Sequence, residues 1–224
     1  MNTPGRAKHI ERKTRPRPAV DASTRKSSDE RWREILSVAA RMFAERGFAA
    51  TALSQIAHDL DMLKGSLYYY IKSKDDLLYE VIRDVYWQGI ANFNQLSRGA
   101  GSGLDRLRAV IEGHVVHLIS NMTATTVYLH EFNQLSEARR EELSALDYSG
   151  WIRDLIKEGQ ADGSIRKDLD PSLAAMAVLG ATNWVYRWYH EGQSSPREIA
   201  AQFAEIFTSG LAVDRGASPS TDPA

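Results

Sequence analysis

Residues 63–78 of the chain read LKGSLYYYIKSKDDLL, with three consecutive tyrosines between lysines and two aspartates just after them. Helical spacing places Leu67 and Ile71 on one face, which we expect to lie in the core. The residues around them then point away from that core. Because soluble proteins rarely leave so much aromatic area exposed without a use, the stretch predicts a contact surface. The alternative is that the tyrosines pack on neighbouring helices.

Two further helical patterns precede this stretch. Apolar residues recur at helical spacing over residues 29–45, Ser27 or Ser28 is placed to be the N-cap, and Gly47 follows as a C-cap would. Thr51 is placed to cap a second, short helix, and only three or four residues separate that helix from the third. Two short helices joined in this way, braced by a longer first one, make a helix-turn-helix.

The outward face of the third helix has the chemistry of a DNA contact. A tyrosine offers an apolar ring for a thymine methyl or a sugar, and a hydroxyl for a phosphate oxygen. Lysines add point charges for the same backbone. Gly65, at the start of this helix, leaves room for the close approach of another backbone.

The sequence of this helix-turn-helix resembles that of a known protein family. Residues 51–78, TALSQIAHDLDMLKGSLYYYIKSKDDLL, closely resemble the DNA-binding signature of the TetR family of bacterial transcriptional regulators, and they follow a first helix ending FAERGF, also typical of the family. The resemblance is strong over residues 31–80 and only architectural beyond them. It implies a DNA-binding regulator, a repressor by the family's default, that binds a pseudo-palindromic double-stranded operator as a dimer and responds to a small-molecule effector.

The family's roles carry over to matching positions of this chain. The residues implied to face bases, sugar or the groove are Ser54, Lys64, Gly65, Ser66 and Tyr68. The residues implied to grip phosphates are Thr51, Tyr69, Tyr70 and Lys74. Two positions depart from the family's habit, since many relatives have Gly where Asp61 stands and Ser or Thr where Leu63 stands. Asp tolerates a left-handed turn better than most residues, whereas Leu63 cannot cap a helix, which typically costs about 1 kcal/mol.

Charge and composition divide the chain further. Residues 1–26 hold eight Lys/Arg and two acidic residues, so the remainder carries 20 basic against 27 acidic residues. We predict a disordered basic arm over 1–27 that either solvates or lies on DNA, a DNA-binding domain over 28–74, an effector and dimerisation domain over 75–212, and a disordered tail over 213–224. No cysteine, secretory signal or membrane-length apolar run is present, which favours a soluble cytoplasmic protein.

Everything between the tails has a helical pattern, so the predicted fold is all-α. After the head, we predict helices over 74–96, 104–121, 124–132, 137–161, 171–191 and 196–211. In the fifth of these, AAMAVLGATNWVYRWY is apolar almost all round, and such a helix must be buried on more than one side. TetR-like proteins dimerise through a four-helix bundle of the last two helices of each subunit, and this pair suits that role.

The resemblance also implies an effector pocket among the middle helices. His114 shares an apolar face and His117 lies one turn on; other helices offer an aromatic lining with a few polar groups. The candidate effector-binding residues are Trp87, Phe93, His114, His117, Tyr128, Phe132, Trp151, Asn183, Trp184 and Arg187. Each has the alternative of being an ordinary core or interface residue. A metal site at His114-x-x-His117 with Glu112 or Glu131 is a weak alternative, and we predict no metal and no cofactor.

The C-terminal segment is similar in style to regulators of fatty-acid, steroid or aromatic-acid catabolism, several of which respond to acyl-CoA thioesters. Arg187 beside an aromatic tunnel is compatible with an acyl chain and anionic head group, but equally with an aromatic compound or an interface ion pair. Two other classes of protein are alternatives. A helical enzyme would need a catalytic constellation that the sequence lacks, and a protein-only adaptor would leave the basic arm and tyrosine–lysine face unexplained.

Overall fold

The computed structural model of the chain describes residues 22–145, 147–192 and 194–213. The helices are α1 (Ala22–Arg46), α2 (Leu53–Asp59), α3 (Lys64–Leu67), α4 (Lys74–Leu96), α5 (Gly103–Ser120), α6 (Met122–Glu131), α7 (Glu137–Ser144), α8 (Tyr148–Asp162), α9 (Pro171–Asn183), α10 (Val185–Trp188) and α11 (Pro196–Leu211), with a 3₁₀ turn at Phe132–Gln134. Over these described ranges there is no β-strand, only one isolated bridge between Ile165 and Ala212. The all-α prediction is confirmed.

Helices α1, α2 and α3 form the predicted helix-turn-helix head. Leu67 and Ile71 are buried in it, as their spacing predicted. Gly47 ends the α1 segment in the left-handed region, with φ of 82°. The head's hydrophobic core is not closed within residues 28–74, because Leu77 of α4, Val127 of α6 and Leu143 of α7 belong to the same buried cluster. Head and body therefore share apolar contacts, which fixes the head against three body helices.

The first helix begins earlier than predicted. Helix α1 starts at Ala22, within the segment predicted as a disordered arm, so Ser27 and Ser28 lie inside the helix and neither is its N-cap. The rest of that arm, residues 1–21, and residues 214–224 of the predicted tail lie outside the described residues.

Two of the predicted body helices are interrupted. The segment 137–161 divides into α7 and α8, because the Asp147 carboxylate accepts from the Gly150 N–H and caps a new helix there. The segment 171–191 divides at Trp184, where the backbone tightens into α10 and Arg187 N–H donates to Trp184 O at 3.0 Å. Apolar periodicity runs through both breaks, which is why neither was visible in the sequence.

Helix α5 is the central helix of the body and packs against α4, α8, α9 and α11. Its approach to α8 depends on glycine, since a Cβ added at Gly103 would lie 2.4 Å from Gly159 Cα. Pro171 and Pro196 stand in the first turns of α9 and α11, as predicted. These contacts hold α4, α5, α6, α8 and α9 around one internal space, which becomes the candidate effector site.

Candidate DNA-binding surface and effector cavity

The outward face of α2 and α3 is open to solvent. Ser54, Lys64 and Ser66 are exposed, and Tyr68 and Tyr69 expose 47% and 73% of their surface. Gly65 is exposed as well, and a Cβ built there would meet no atom within 4 Å. The helix-turn-helix therefore presents hydroxyl, ammonium and phenol groups together, with space beside Gly65 for a partner's backbone.

The turn before this face accommodates both unusual residues. Asp61 adopts φ of 51°, and within the described residues it is the one non-glycine residue with positive φ. This is the left-handed conformation for which Gly is usual and Asp is tolerated. Leu63 is the N-cap of α3, makes no side-chain cap bond and exposes 81% of its surface. An apolar side chain so exposed at the edge of the recognition surface is available for contact with a partner.

Tyr70 lies differently from its two neighbours. It is half-buried, its ring stacks on Trp32 with centroids 6.3 Å apart, and it meets Tyr69 edge-on at 5.2 Å. The ring of Tyr70 therefore joins α1 to the loop after α3. Of the three consecutive tyrosines, the first two are the ones that face solvent.

Thr51 and Lys74 do not lie as expected for phosphate contacts. Thr51 is 1% exposed, does not cap α2, and donates its hydroxyl to Gly47 O at 2.8 Å. The N-cap of α2 is Ala52, whose N–H donates to the Gln55 side chain. Lys74 Nζ donates to three carbonyl oxygens of the α1–α2 loop and lies 4.4 Å from the Phe48 ring centroid. Both side chains thus stabilise the loop that carries α2, and their polar groups are already engaged.

A second set of polar contacts joins the head to the body. The Phe48 N–H donates to Glu131 Oε1 of α6 at 3.0 Å. At the start of α4, the Arg139 guanidinium of α7 binds the carboxylates of both Asp75 and Asp76. Burial alone would raise the pKa of Asp76, but the hydrogen bonds and charge of Arg139, with further hydrogen bonds from neighbouring groups, outweigh it and lower that pKa.

The body encloses a cavity of about 390 Å³ between α4, α5, α6, α8, α9 and the turn before α8. This volume lies within the range of small-molecule sites. The residues lining it are Val85, Tyr86, Gly89, His114, His117, Leu118, Thr125, Tyr128, Ser144, Asp147, Tyr148, Ser149, Leu179 and Asn183. Ser144, Asp147 and Ser149 are exposed, so they mark the end of the cavity that meets solvent.

Four of the ten predicted effector residues line this cavity, namely His114, His117, Tyr128 and Asn183. The other six do not. Phe93 and Trp151 pack together in the core behind Tyr148, and Phe132 meets the ring of Tyr128. Trp87, Trp184 and Arg187 are exposed, and Arg187 lies over the Trp184 ring at 5.7 Å. Arg187 therefore lies outside this cavity, and its pairing with an effector's anionic group stays a prediction.

A neutral hydrogen-bonded chain lies in the cavity wall. His114 Nε2 lies 3.1 Å from the Asn183 oxygen, which can only accept, so this nitrogen carries the proton. The Tyr148 hydroxyl then donates to His114 Nδ1 at 3.2 Å. Burial lowers the pKa of His114 to about 4; the bond to Asn183 opposes this shift, and the repulsion between the two rings when both His114 and His117 are protonated adds to it. His114 is therefore neutral at pH 7, with both ring nitrogens engaged.

His117 is held in a similar way. Its Nε2–H donates to Val85 O at 3.0 Å, and the Asn121 amide donates to its Nδ1 at 3.2 Å. Burial lowers its pKa, although the bond to Val85 opposes the shift. Because its nitrogens have these partners, His117 has no free position for a metal. Within the described part of the chain, no three His, Asp or Glu side chains are grouped as metal ligands.

Sequence reasoning missed much of the lining. Tyr86 and Tyr148 are the largest omissions, and burial raises the pKa of both phenols. Tyr148 lies next to the break between α7 and α8, which the periodicity did not reveal. One signal could have found it, since a Tyr directly after Asp147 fits the first position of a capped helix.

The chain combines a helix-turn-helix, which has an exposed tyrosine–lysine face, with a helical body. This architecture is typical of DNA-binding regulatory proteins. Residues 35–81 match the family model for bacterial regulatory proteins of the tetR family, and residues 100–211 match that for the tetracyclin repressor-like C-terminal domain. The chain therefore belongs to the TetR family of bacterial transcriptional regulators. Among the described residues, no helix is both long and apolar enough to cross a membrane.

Three similar proteins illustrate the relationship. The HTH-type transcriptional repressor KstR2 of Mycolicibacterium smegmatis is 32% identical over 193 residues, which cover 82% of this chain and 91% of the relative. The structure of the ketosteroid transcriptional regulator KstR2 of Mycobacterium tuberculosis superposes with a TM-score of 0.77 at 26% identity, covering 83% of this chain and 96% of that one. The structure of AibR in complex with isovaleryl coenzyme A and operator DNA superposes with a TM-score of 0.70 at 25% identity. The match covers 81% of this chain and 98% of that one.

Proposed function

We propose that the protein is a transcriptional repressor that binds a pseudo-palindromic operator as a homodimer and is released from it by a small molecule bound in the cavity. The observation that carries the proposal is the direct connection of the two sites. Helix α4 begins at the head, where Lys74 holds the α2 loop, and carries Val85, Tyr86 and Gly89 into the cavity wall. Two relatives, the KstR2 proteins of Mycolicibacterium smegmatis and Rhodococcus jostii, are transcriptional repressors, which supports repression over activation.

The homodimer is supported by exposed apolar area on the last helices. Leu173 and Met176 of α9 and Trp184 directly after it expose 57–63% of their surface, and Ile206 of α11 exposes 67%. Such a patch on a soluble protein typically marks an interaction surface. We therefore propose that a second copy covers this side and forms the predicted four-helix bundle with α9 and α11. The dimer would then present two recognition helices to half-sites about one DNA turn apart, or a multiple of it.

The release mechanism is a population shift, for which the effector must bind the non-DNA state more tightly. Two helices can transmit it. Helix α4 links the cavity to Lys74 and to the Asp75–Asp76 contacts. Helix α6 lines the cavity with Thr125 and Tyr128, and it ends at Glu131, which holds the Phe48 N–H of the head. A ligand that displaces either helix changes how the head is held, and with it the spread of the two recognition helices.

The effector we propose is a hydrophobic compound, with acyl-CoA thioesters as the first class to test. Support comes from AibR, whose structure was solved with isovaleryl coenzyme A and operator DNA, and from KstR2 of Mycobacterium tuberculosis, a ketosteroid transcriptional regulator. In this chain the cavity would receive the acyl or ring portion. Arg187 lies outside the cavity, so a coenzyme head group would have to bind elsewhere on the surface.

Electrophoretic shift of the DNA upstream of the protein's own gene tests the regulator. We expect a sequence-specific shift, which Tyr68→Ala weakens while leaving the size and melting temperature of the protein unchanged, because Tyr68 is exposed. Lys167→Ala, at an exposed residue of the loop between α8 and α9, is the control and should bind DNA as the wild type does. No specific shift with the wild type would favour a protein-binding adaptor instead. A panel of coenzyme A thioesters then tests release, and if no member releases the operator, that effector class is wrong.

A further inference from the structure

The cavity offers hydrogen-bond donors that the protein itself leaves unused. The Asn183 oxygen accepts from His114, but its amide nitrogen has no hydrogen-bond partner among the described residues. The Tyr128 hydroxyl likewise makes no hydrogen bond within that part of the chain, although its ring is packed between Tyr86 and Phe132. Both groups line the cavity and are open to it, so the amide and the hydroxyl are free to donate to a ligand that accepts.

The same wall carries no positive charge. None of the described lining residues is a lysine or an arginine, and His114 and His117 are both neutral, with their nitrogens engaged by Asn183, Tyr148, Val85 and Asn121. An ionised carboxylate or phosphate placed here would lose its hydration without gaining a cation.

The solvent end of the cavity adds a negative charge. Asp147 lies there and accepts from Gly150 N–H at 2.9 Å and from the Ser149 hydroxyl at 3.0 Å. These hydrogen bonds, only partly opposed by burial and assisted by Arg153, lower the pKa of Asp147 and keep it ionised. An anionic ligand would therefore pass a carboxylate whose counter-charge, Arg153, lies 3.7 Å from it, and would find hydrogen-bond donors but no cation among the lining residues.

Resting on the proposed function, we infer that the effector group recognised in this cavity is an uncharged carbonyl oxygen, a ketone or an ester or thioester carbonyl, on an otherwise apolar skeleton. The Asn183 amide and the Tyr128 hydroxyl donate to that oxygen. The apolar remainder contacts Val85, Leu118 and Leu179. A coenzyme A ester fits this inference only if its thioester carbonyl enters the cavity and its phosphates stay outside.

Four compounds with one skeleton separate the possibilities: 4-phenylcyclohexanone, 4-phenylcyclohexanecarboxylate, 4-phenylcyclohexylamine and phenylcyclohexane. Their affinities for the full chain are measured at pH 7 by isothermal titration calorimetry. We expect the ketone to bind at least about tenfold more tightly than the carboxylate and several-fold more tightly than the hydrocarbon, since one neutral hydrogen bond is worth up to about tenfold. Equal or tighter binding of the carboxylate or the amine overturns the inference, as does a ketone that binds no better than the hydrocarbon or not at all.

Two variants locate the donors. Tyr128→Phe keeps the ring and removes the hydroxyl, so it should reduce the ketone's advantage over the hydrocarbon several-fold, and Asn183→Leu should abolish the remainder. Asn133→Leu, the same substitution on an exposed residue away from the cavity, should leave the advantage unchanged. If Asn183→Leu fails to fold, Tyr128→Phe alone decides, and an undiminished advantage in it contradicts the assignment of this hydroxyl.

The operator shift, measured on the same protein without any compound, distinguishes the two failures. Specific DNA binding without a ketone preference overturns only the inference about the cavity. A ketone preference without any specific DNA binding overturns the proposed function and leaves the cavity chemistry standing.

Discussion

Replacing Arg139 by methionine tests the contact that fixes α4, and with it the head, to α7. The guanidinium binds both Asp75 and Asp76 and lies 4.8 Å from the Tyr79 ring centroid. Methionine keeps most of the aliphatic stem over that ring and removes only the charge and the donors. The variant leaves two carboxylates side by side, compensated by the Lys72 N–H, the Ser73 hydroxyl, the helix dipole and water.

The expected loss follows from the degree of exposure. Hydrogen bonds to charged groups contribute about 1.5–3 kcal/mol when buried, whereas exposed ion pairs contribute about 0–1 kcal/mol. The side chains of Arg139, Asp75 and Asp76 are 23%, 36% and 23% exposed, so solvent screens the contact only in part. We therefore expect Arg139→Met to lower the free energy of unfolding by about 2 kcal/mol, or the melting temperature by about 4–8 °C for a chain of this size.

Urea unfolding at one fixed protein concentration measures this change, because a dimer's apparent stability depends on concentration. Lys157→Met is the matched control. Its partner is Asp154 at 3.1 Å, and both side chains are more than half exposed, so we expect a change within about 0.5 kcal/mol. The reasoning is refuted if Arg139→Met is as stable as the wild type or no less stable than the control.

Acid adds a second readout of the same contact. The pKa of Asp76 is lowered from its ordinary value of 3.8 in the folded state. A carboxyl with a depressed pKa contributes stability above its unfolded pKa, and that contribution is lost as the pH falls through the folded pKa. The difference between wild type and Arg139→Met should therefore be full at pH 6 and shrink below about pH 4. A difference that stays constant down to pH 3 would indicate lost packing and not lost charge pairing.

Three further changes give separate tests. Lys74→Met should destabilise the head by roughly 1–3 kcal/mol in thermal unfolding and weaken binding to all DNA. The slope of log K for DNA against log salt concentration should stay unchanged, and a slope lower by about one would show that Lys74 contacts a phosphate. Thr51→Val should cost about 1–2 kcal/mol in the same unfolding assay, since its buried hydroxyl is lost, and again leave the salt slope unaltered. The pKa of His114 is lowered to about 4, so the unfolded chain binds a proton that the folded one does not, and wild-type stability should fall as the pH drops from about 6.5 towards 4. His114→Gln should flatten that decline in pH-dependent urea melts and His58→Gln, exposed on α2, should not; equal profiles for all three proteins would contradict the burial argument.

The sequence determined much of the head because its signals are local. Leu67 and Ile71 are four residues apart, and helix geometry alone places them on one buried face and turns Tyr68 and Tyr69 outward. Asp61 in a left-handed turn follows from the short connection between two helices, and this too is local. Gly47 and the two helix-starting prolines are signals of the same kind. The all-α fold needed nothing beyond such patterns.

The tertiary structure alone decided which partner each polar side chain takes. The position of Lys74 in the sequence motif does not determine whether its ammonium binds DNA phosphates or protein carbonyls. In the structure it donates to carbonyl oxygens of the loop that lies 23–26 residues earlier in the sequence. Tyr148 lies 34 residues after His114 in the sequence, and Asn183 lies 69 residues after it. No helical periodicity could therefore show that the three side chains form one neutral hydrogen-bonded chain. A helical pattern predicts which face of a helix is buried, but the rotation and crossing of helices decide whether that face meets a core, a partner or a cavity. The sequence therefore leaves the contacts of these four side chains open, and helix packing decides them: Lys74, His114, Tyr148 and Asn183.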